Sequence, residues 1–281
     1  MYWLLRTFAA WVSSLAPERA ERLGRALAWV VFDLLRVRRS LVLRNLALAL
    51  PELPPPARLA VGRASIASFV LTLVEVLRGW RHDVAGEVGF EGIQHIRSAL
   101  AGRRGAYVLC FHMGNWEAMG AAVSRCIAPA HVLVKKVGTA SIDRFATELR
   151  DRSGFLTVKR RQKGDGYAAI KEVLAKGEIV GFVMDQARPG EPRLPFFGHP
   201  ARTNTSLAAI WQRVPAPIVP GMVRRTGFGR HVVEFLPALT LTTTDDPAAD
   251  VLRLSTEFNA VVEACVRRFP EQYFWMHNRW K

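Results

Sequence analysis

The sequence predicts an α/β protein, a mixed and largely parallel sheet flanked by helices, preceded by N-terminal membrane-associated helices. Three observations carry the prediction. Short apolar runs recur along the chain and alternate with stretches of helical periodicity, the pattern of strand-helix-strand units. Half of the 281 residues are apolar, enough to bury a sizeable core. The N-terminal segment spaces tryptophans and leucines as a helix does, yet never reaches the roughly 20 uninterrupted apolar residues of a bilayer span.

Trp3, Leu4, Phe8, Trp11, Val12 and Leu15 form the first apolar stripe, and residues 26–35 form a second run that ends in Arg36, Arg38 and Arg39. Arg6, Glu18, Arg22 and Arg25 interrupt these stretches, so an interfacial hairpin or a helix lying on the membrane fits better than a span. Tryptophan suits the headgroup zone and arginine an anionic cytoplasmic leaflet. Ordinary amphipathic helices packed on the domain are the plainer alternative. Arg6 also breaks the apolar region that a signal peptide needs.

Residues 1–50 are therefore expected to be membrane-associating helices, and residues 51–281 a catalytic domain. Pro51 and Pro54-Pro55-Pro56 mark the break, after which Leu59, Ile66, Phe69, Val70, Leu73 and Leu77 trace an amphipathic helix. Strands are expected at 105–111, 130–134, 155–159, 179–184, 217–223 and 231–239, and helices at 115–127, 141–152, 166–176 and 248–269. In such sheets sites gather at the C-terminal ends of strands, where His112 and Asp185 fall.

Net charge is +15, from 39 Lys and Arg against 24 Asp and Glu, which points to an anionic partner. Tryptophans cluster near the two termini instead of interleaving with the basic residues on one face, so a lipid surface fits better than nucleic acid. Cys110, Cys126 and Cys265 are widely spread, which disfavours a disulfide framework or a zinc site. A metal-dependent hydrolase would have to use His112, Glu117, Asp185 and His199, and none of these has the usual ligand spacing.

The segment His112-Met113-Gly114-Asn115-Trp116-Glu117 carries the chemistry. It follows the apolar run Tyr107 to Phe111, so His112 sits at a strand's exposed end, Asn115 caps a helix, and Glu117 lies in its first turn. On one continuous helix the five-residue step would rotate by about 140° and separate the pair. A strand-turn-helix junction lets them meet. Glu117 would then orient the ring, and the helix dipole would keep His112 neutral and ready to take a proton near pH 7. A core histidine beside a surface acid would leave the same pattern. Amides near Asn115 point toward where an oxyanion would form, and Gly114 would let a thioester approach the backbone.

Further blocks carry a family resemblance. Arg44-Asn45-Leu46, Leu50-Pro51-Glu52, Met184-Asp185-Gln186, Pro195-Phe196-Phe197-Gly198 with Ala201 and Thr203, and Pro217-Ile218-Val219-Pro220 occur in order around the His112/Glu117 pair. The chain closes on residues 270–281, Pro270 to Lys281. This series resembles the bacterial lipid A biosynthesis acyltransferases, with a glycerolipid acyltransferase-like catalytic domain.

The resemblance implies acyl transfer from a thioester of acyl carrier protein or coenzyme A to a hydroxyl of a lipid acceptor, at the cytoplasmic face of a bacterial inner membrane. It implies His112 as base, Glu117 as its partner, and no resident cofactor or metal. Lys136, Arg150 and Arg161 become candidates for holding a phosphate, Arg150 matching best. The stretch Lys135-Lys136-Val137 departs from the arginine and proline common in relatives, which weakens a phosphate contact there and a lipid A disaccharide as acceptor. Asp185 and Gln186 are candidates for the pocket, or for a structural turn. Arg202 and Thr203 are candidates for phosphate binding, and Phe196 and Phe197 for an apolar wall. His277 reads as structural.

Overall fold

In the computed structural model, residues 1–84, 87–134, 138–159, 165–186 and 189–281 are described. Helices come first: α1 (Tyr2–Ser14), α2 (Pro17–Trp29), a π-helical turn Val30–Leu34, α3 (Arg39–Ala49) and α4 (Pro55–Arg78). Strands and helices then alternate as β1 (Val88–Glu91), α5 (Ile93–Ala101), β2 (Ala106–Cys110), α6 (Trp116–Cys126), β3 (Ala130–Val134), α7 (Ala140–Ser153), β4 (Leu156–Lys159), α8 (Asp165–Ala175) and β5 (Ile179–Val183). A two-stranded antiparallel ribbon, β6 (Arg193–Phe196) with β7 (His199–Arg202), precedes α9 (Ser206–Arg213), β8 (Ile218–Gly227), β9 (Arg230–Phe235) and α10 (Pro247–Arg268).

Among the described residues the other seven strands form one sheet in the order β1-β9-β8-β2-β5-β3-β4. Its pairings are parallel except that of β8 with β9. The fold is thus α/β with a mixed, largely parallel sheet. Strand β2 lies inside the sheet between β5 and β8, and its apolar run Ala106 to Leu109 is buried throughout, as a strand covered on both faces requires.

Elements that the sequence pattern does not reveal are β1, α5, the ribbon and α9. Strand β1 is a short edge strand, and the ribbon carries Arg193, Pro195, His199, Pro200 and Arg202, a composition that reads as loop. The expected strand from 217 runs on to Gly227, and the one from 231 stops at Phe235.

Residues before Pro51 are built into the main core, where Phe32, Val42 and Leu46 belong to one cluster with Tyr107, Leu109 and Phe258. The opposite cluster joins Val108 to Ile96 of α5 and to Met119 and Val123 of α6. Helix α4 is the one helix among the described residues long and apolar enough to cross a bilayer. It nevertheless buries Ser65, Ser68, Thr72 and Glu75 inside the protein, as a core helix does.

Helix α1 buries Ala9, Val12 and Ser13, and Ser13 donates to the Leu77 carbonyl of α4 at 3.0 Å. Its outer side leaves Trp3 70% and Leu4 74% exposed, and Trp29, Leu34 and Leu35 are exposed beyond it.

Candidate active site

Parallel pairing builds the site. Residues of β2 pair with those of β5 in register, from Ala106 with Ile179 to Cys110 with Val183. Two residues beyond that last pair, the same register sets His112 beside Asp185. Asp185 is 2% exposed, and its Oδ1 lies 2.7 Å from His112 Nδ1 while its Oδ2 accepts from the His112 backbone N–H at 3.0 Å. The His112 side chain keeps 19% of its surface exposed. With Nδ1–H directed at a carboxylate, Nε2 carries the ring's lone pair.

The carboxylate that holds the ring is therefore Asp185, and not Glu117 as the spacing suggested. Glu117 lies in the first turn of α6 and accepts from Arg150 of α7, at 2.9 Å from Nε and 2.5 Å from Nη2. It still acts on the imidazole through its charge.

The electrostatics also differ from the expectation of a base kept neutral by the helix dipole. Burial pulls the His112 pKa down, but the charge and hydrogen bond of Asp185, helped by Glu117, outweigh burial and raise it above the ordinary histidine value. Burial alone would raise Asp185. His112, which lends it two hydrogen bonds, and Arg279 together hold it below the ordinary carboxylate value.

Trp116 and Phe274 flank the imidazole, with ring centroids 4.9 and 5.8 Å away. Phe274 comes from the C-terminal segment and donates its backbone N–H to the His112 carbonyl at 3.0 Å. Cys110 offers no second nucleophile here, because burial and the Asp185 charge push its thiol up to about 12.

Asn115 is the expected N-cap of α6, its Oδ1 accepting from the Ala118 N–H at 3.0 Å. It is wholly buried, and its Nδ2 donates to Glu75. Gly114 takes a left-handed φ of +53°, and a Cβ there would come within 2.5 Å of the Val223 carbonyl oxygen. Its N–H donates to the Gln272 carbonyl, so the Gly114 amide is engaged within the protein. The amides of Trp116 and Glu117 occupy the helix positions that lack intrahelical acceptors.

The other candidates do not all converge. Gln186 is exposed beside Asp185. Thr203 is 1% exposed, donates to the Ala201 carbonyl and accepts from Asn259, which leaves it a structural hydroxyl unsuited to phosphate. Arg202, at the end of the ribbon, donates its backbone N–H to the Arg279 carbonyl and accepts from Arg279 Nε on its own carbonyl. Phe196 and Phe197 are core residues, and His199 is exposed on the ribbon. Lys136 and Arg161 lie outside the described residues. Among the described residues no group of three His, Cys, Asp or Glu side chains could hold a metal ion.

Sequence reasoning missed Phe274 as a neighbour of the base and Asp185 as its partner. The sequence places both His112 and Asp185 at strand ends, and only the pairing of β2 with β5, which ends at Cys110 with Val183, sets those ends side by side.

The chain is 27% identical over 270 residues to the lipid A biosynthesis lauroyltransferase of Escherichia coli (strain K12), covering 92% of this chain and 84% of that protein. It is 26% identical over 291 residues to the lipid A biosynthesis palmitoleoyltransferase of the same organism, covering 100% and 92%. The lipid A biosynthesis acyltransferase of Shigella flexneri is 26% identical over the same length. Residues 1–281 match the family described as bacterial lipid A biosynthesis acyltransferase, and the chain is an acyltransferase belonging to that family.

Proposed function

We propose that the chain transfers a fatty acyl group from the thioester of acyl carrier protein or coenzyme A to a hydroxyl of a lipid. The names of its relatives favour a lipid A precursor as acceptor. The observation that carries this reading is the His112–Asp185 pair at the C-terminal edge of the sheet, with Nε2 as the available base.

Nε2 takes the proton of the acceptor hydroxyl as its oxygen attacks the thioester carbonyl. The tetrahedral oxyanion that forms is met by the first-turn amides of α6. Collapse breaks the carbon–sulfur bond, and the departing thiolate takes the proton back from His112. Asp185 holds the ring and stabilises the imidazolium between these steps. No residue of the protein is acylated, and no resident cofactor or metal is needed.

Two of the five N–H donors of Arg150 are engaged by Glu117, and the rest would serve a phosphate of the acceptor or of the donor's phosphopantetheine arm. Exposed Trp3, Leu4, Trp29, Leu34 and Leu35, flanked by arginines, support attachment to the cytoplasmic face of the inner membrane.

The test is transfer of radiolabelled acyl groups from each donor into a bacterial lipid extract by the intact protein and by His112→Ala. A labelled lipid absent with the variant supports the reading and identifies the acceptor. Equal labelling by both proteins would remove His112 as base.

A further inference from the structure

Behind the site, and unused by the steps above, lies a buried polar cluster on α4. Glu75 is 6% exposed and accepts from Arg225 of β8, with Nε at 3.0 Å on one oxygen and Nη2 at 2.8 Å on the other. The latter oxygen also accepts from Asn115 Nδ2 at 2.9 Å, so a buried ion pair stands directly behind the cap of α6. Burial opposes ionisation of Glu75, yet its hydrogen bonds with His231 and Arg225 and the charges of both lower its pKa to about 2, so the carboxylate is ionised at neutral pH.

Arg225 Nη2 also donates to the Thr72 hydroxyl at 2.8 Å. That hydroxyl has one proton and two acceptors in reach, the Ser68 carbonyl at 3.0 Å and the Gly114 carbonyl at 2.8 Å. The Ser68 carbonyl takes a further hydrogen bond from Arg225 Nη1 at 3.2 Å, so Gly114 is the acceptor that depends on Thr72.

Gly114 is the hinge between the base and the helix. Its φ of +53° sits in a region where glycine's neighbouring peptides turn easily, so something must hold them. Its N–H is held by the Gln272 carbonyl, and the Gln272 side chain is bonded twice to the backbone of Arg225, at 2.7 and 3.1 Å. Both sides of the hinge thus lead back to Arg225.

We propose that Thr72, backed by the Glu75–Arg225 pair, is a positioning residue for acyl transfer. By holding the Gly114 carbonyl it sets the bearing of His112 and of the first-turn amides of α6 toward the thioester. This rests on the reading of His112 as the base. The hydroxyl matters because the residue it holds is the one in the loop with the freest backbone, and small misalignments at a reacting centre are costly in rate.

Thr72→Val is nearly isosteric and removes only the hydroxyl, while Thr72→Ser restores it. The assay uses dodecanoyl acyl carrier protein at varied concentration with a bacterial lipid extract in mixed micelles, with thermal unfolding followed in parallel and His112→Ala as control. Thr72→Val is expected to lower kcat about tenfold with donor KM unchanged, and Thr72→Ser to recover it. An unchanged kcat with Thr72→Val, or a loss that Thr72→Ser does not repair, overturns the positioning role while an inactive His112→Ala leaves the base in place. An active His112→Ala overturns both.

Discussion

His112 and Asp185 stand seventy-three residues apart in the chain and 2.7 Å apart in space, the same offset that pairs each residue of β2 with its neighbour on β5. The contact extends the sheet's register beyond its last paired residues, and it makes Asp185 the group that orients the His112 ring.

Replacement of the two acids separates their roles. Asp185→Asn leaves the shape of the site but no longer fixes the tautomer, and kcat is expected to fall by about 10³-fold or more. Glu117→Gln leaves the ring held by Asp185 and is expected to cost less, through loosening of Arg150. Steady-state acyl transfer by the two variants decides. A larger loss with Glu117→Gln would return the orienting role to that residue.

The pH profile follows from the direction of the His112 shift. A base must be neutral to act, so activity rises with pH through the His112 pKa, which lies above the ordinary histidine value. Removing the Asp185 charge leaves burial as the dominant influence, and burial lowers that pKa. The acid limb of kcat/KM in Asp185→Asn is therefore expected at lower pH than in the unaltered protein, as read from rates across pH 5 to 9. A limb that stays in place would assign the titration to another group.

Gly114 is a structural requirement before it is anything else. A Cβ in its left-handed conformation costs about 1–2 kcal/mol, and contact with the Val223 carbonyl adds to that. Gly114→Ala is expected to lower unfolding free energy by at least about 2 kcal/mol in urea denaturation. Loss of activity in such a variant reports on folding, so it does not test whether the backbone here meets an oxyanion. Undiminished stability would mean that the loop relaxes away from Val223.

The exposed apolar residues of the N-terminal helices can be charged without touching the core. Leu34 and Leu35 are 60% and 63% exposed. Leu34→Asp with Leu35→Asp is expected to leave thermal unfolding unchanged and to reduce co-sedimentation with phosphatidylglycerol vesicles several-fold. Retention equal to that of the unaltered protein would move the membrane contact away from this turn.

Much of the fold was legible because it is written in local patterns. The run Tyr107 to Leu109 reads as a buried strand, Asn115 as a helix cap, and residues 248–269 as the helix α10, since each depends on residues adjacent in the chain. The ribbon was hidden by its prolines and charges, which resemble a loop until the two strands are seen paired.

The site was half legible. His112 announces itself at a strand end, but Glu117 is its nearest acid in sequence and the less direct one in space. Phe274 reaches the ring from the far end of the chain, and Thr72 and Glu75 reach the loop from a helix that its pattern marks only as amphipathic.

The α/β class, the order of the main elements, the place of His112 at a strand end and the family are all written in the sequence, because periodicity, capping and ordered motifs are properties of neighbouring residues. Tertiary structure alone decided which acid holds that base, which arginine holds the other acid, and what supports the loop between them. Those choices depend on strand register and on helix packing across the sheet, where residues far apart in the chain come within hydrogen-bond distance, and no local pattern encodes such distances.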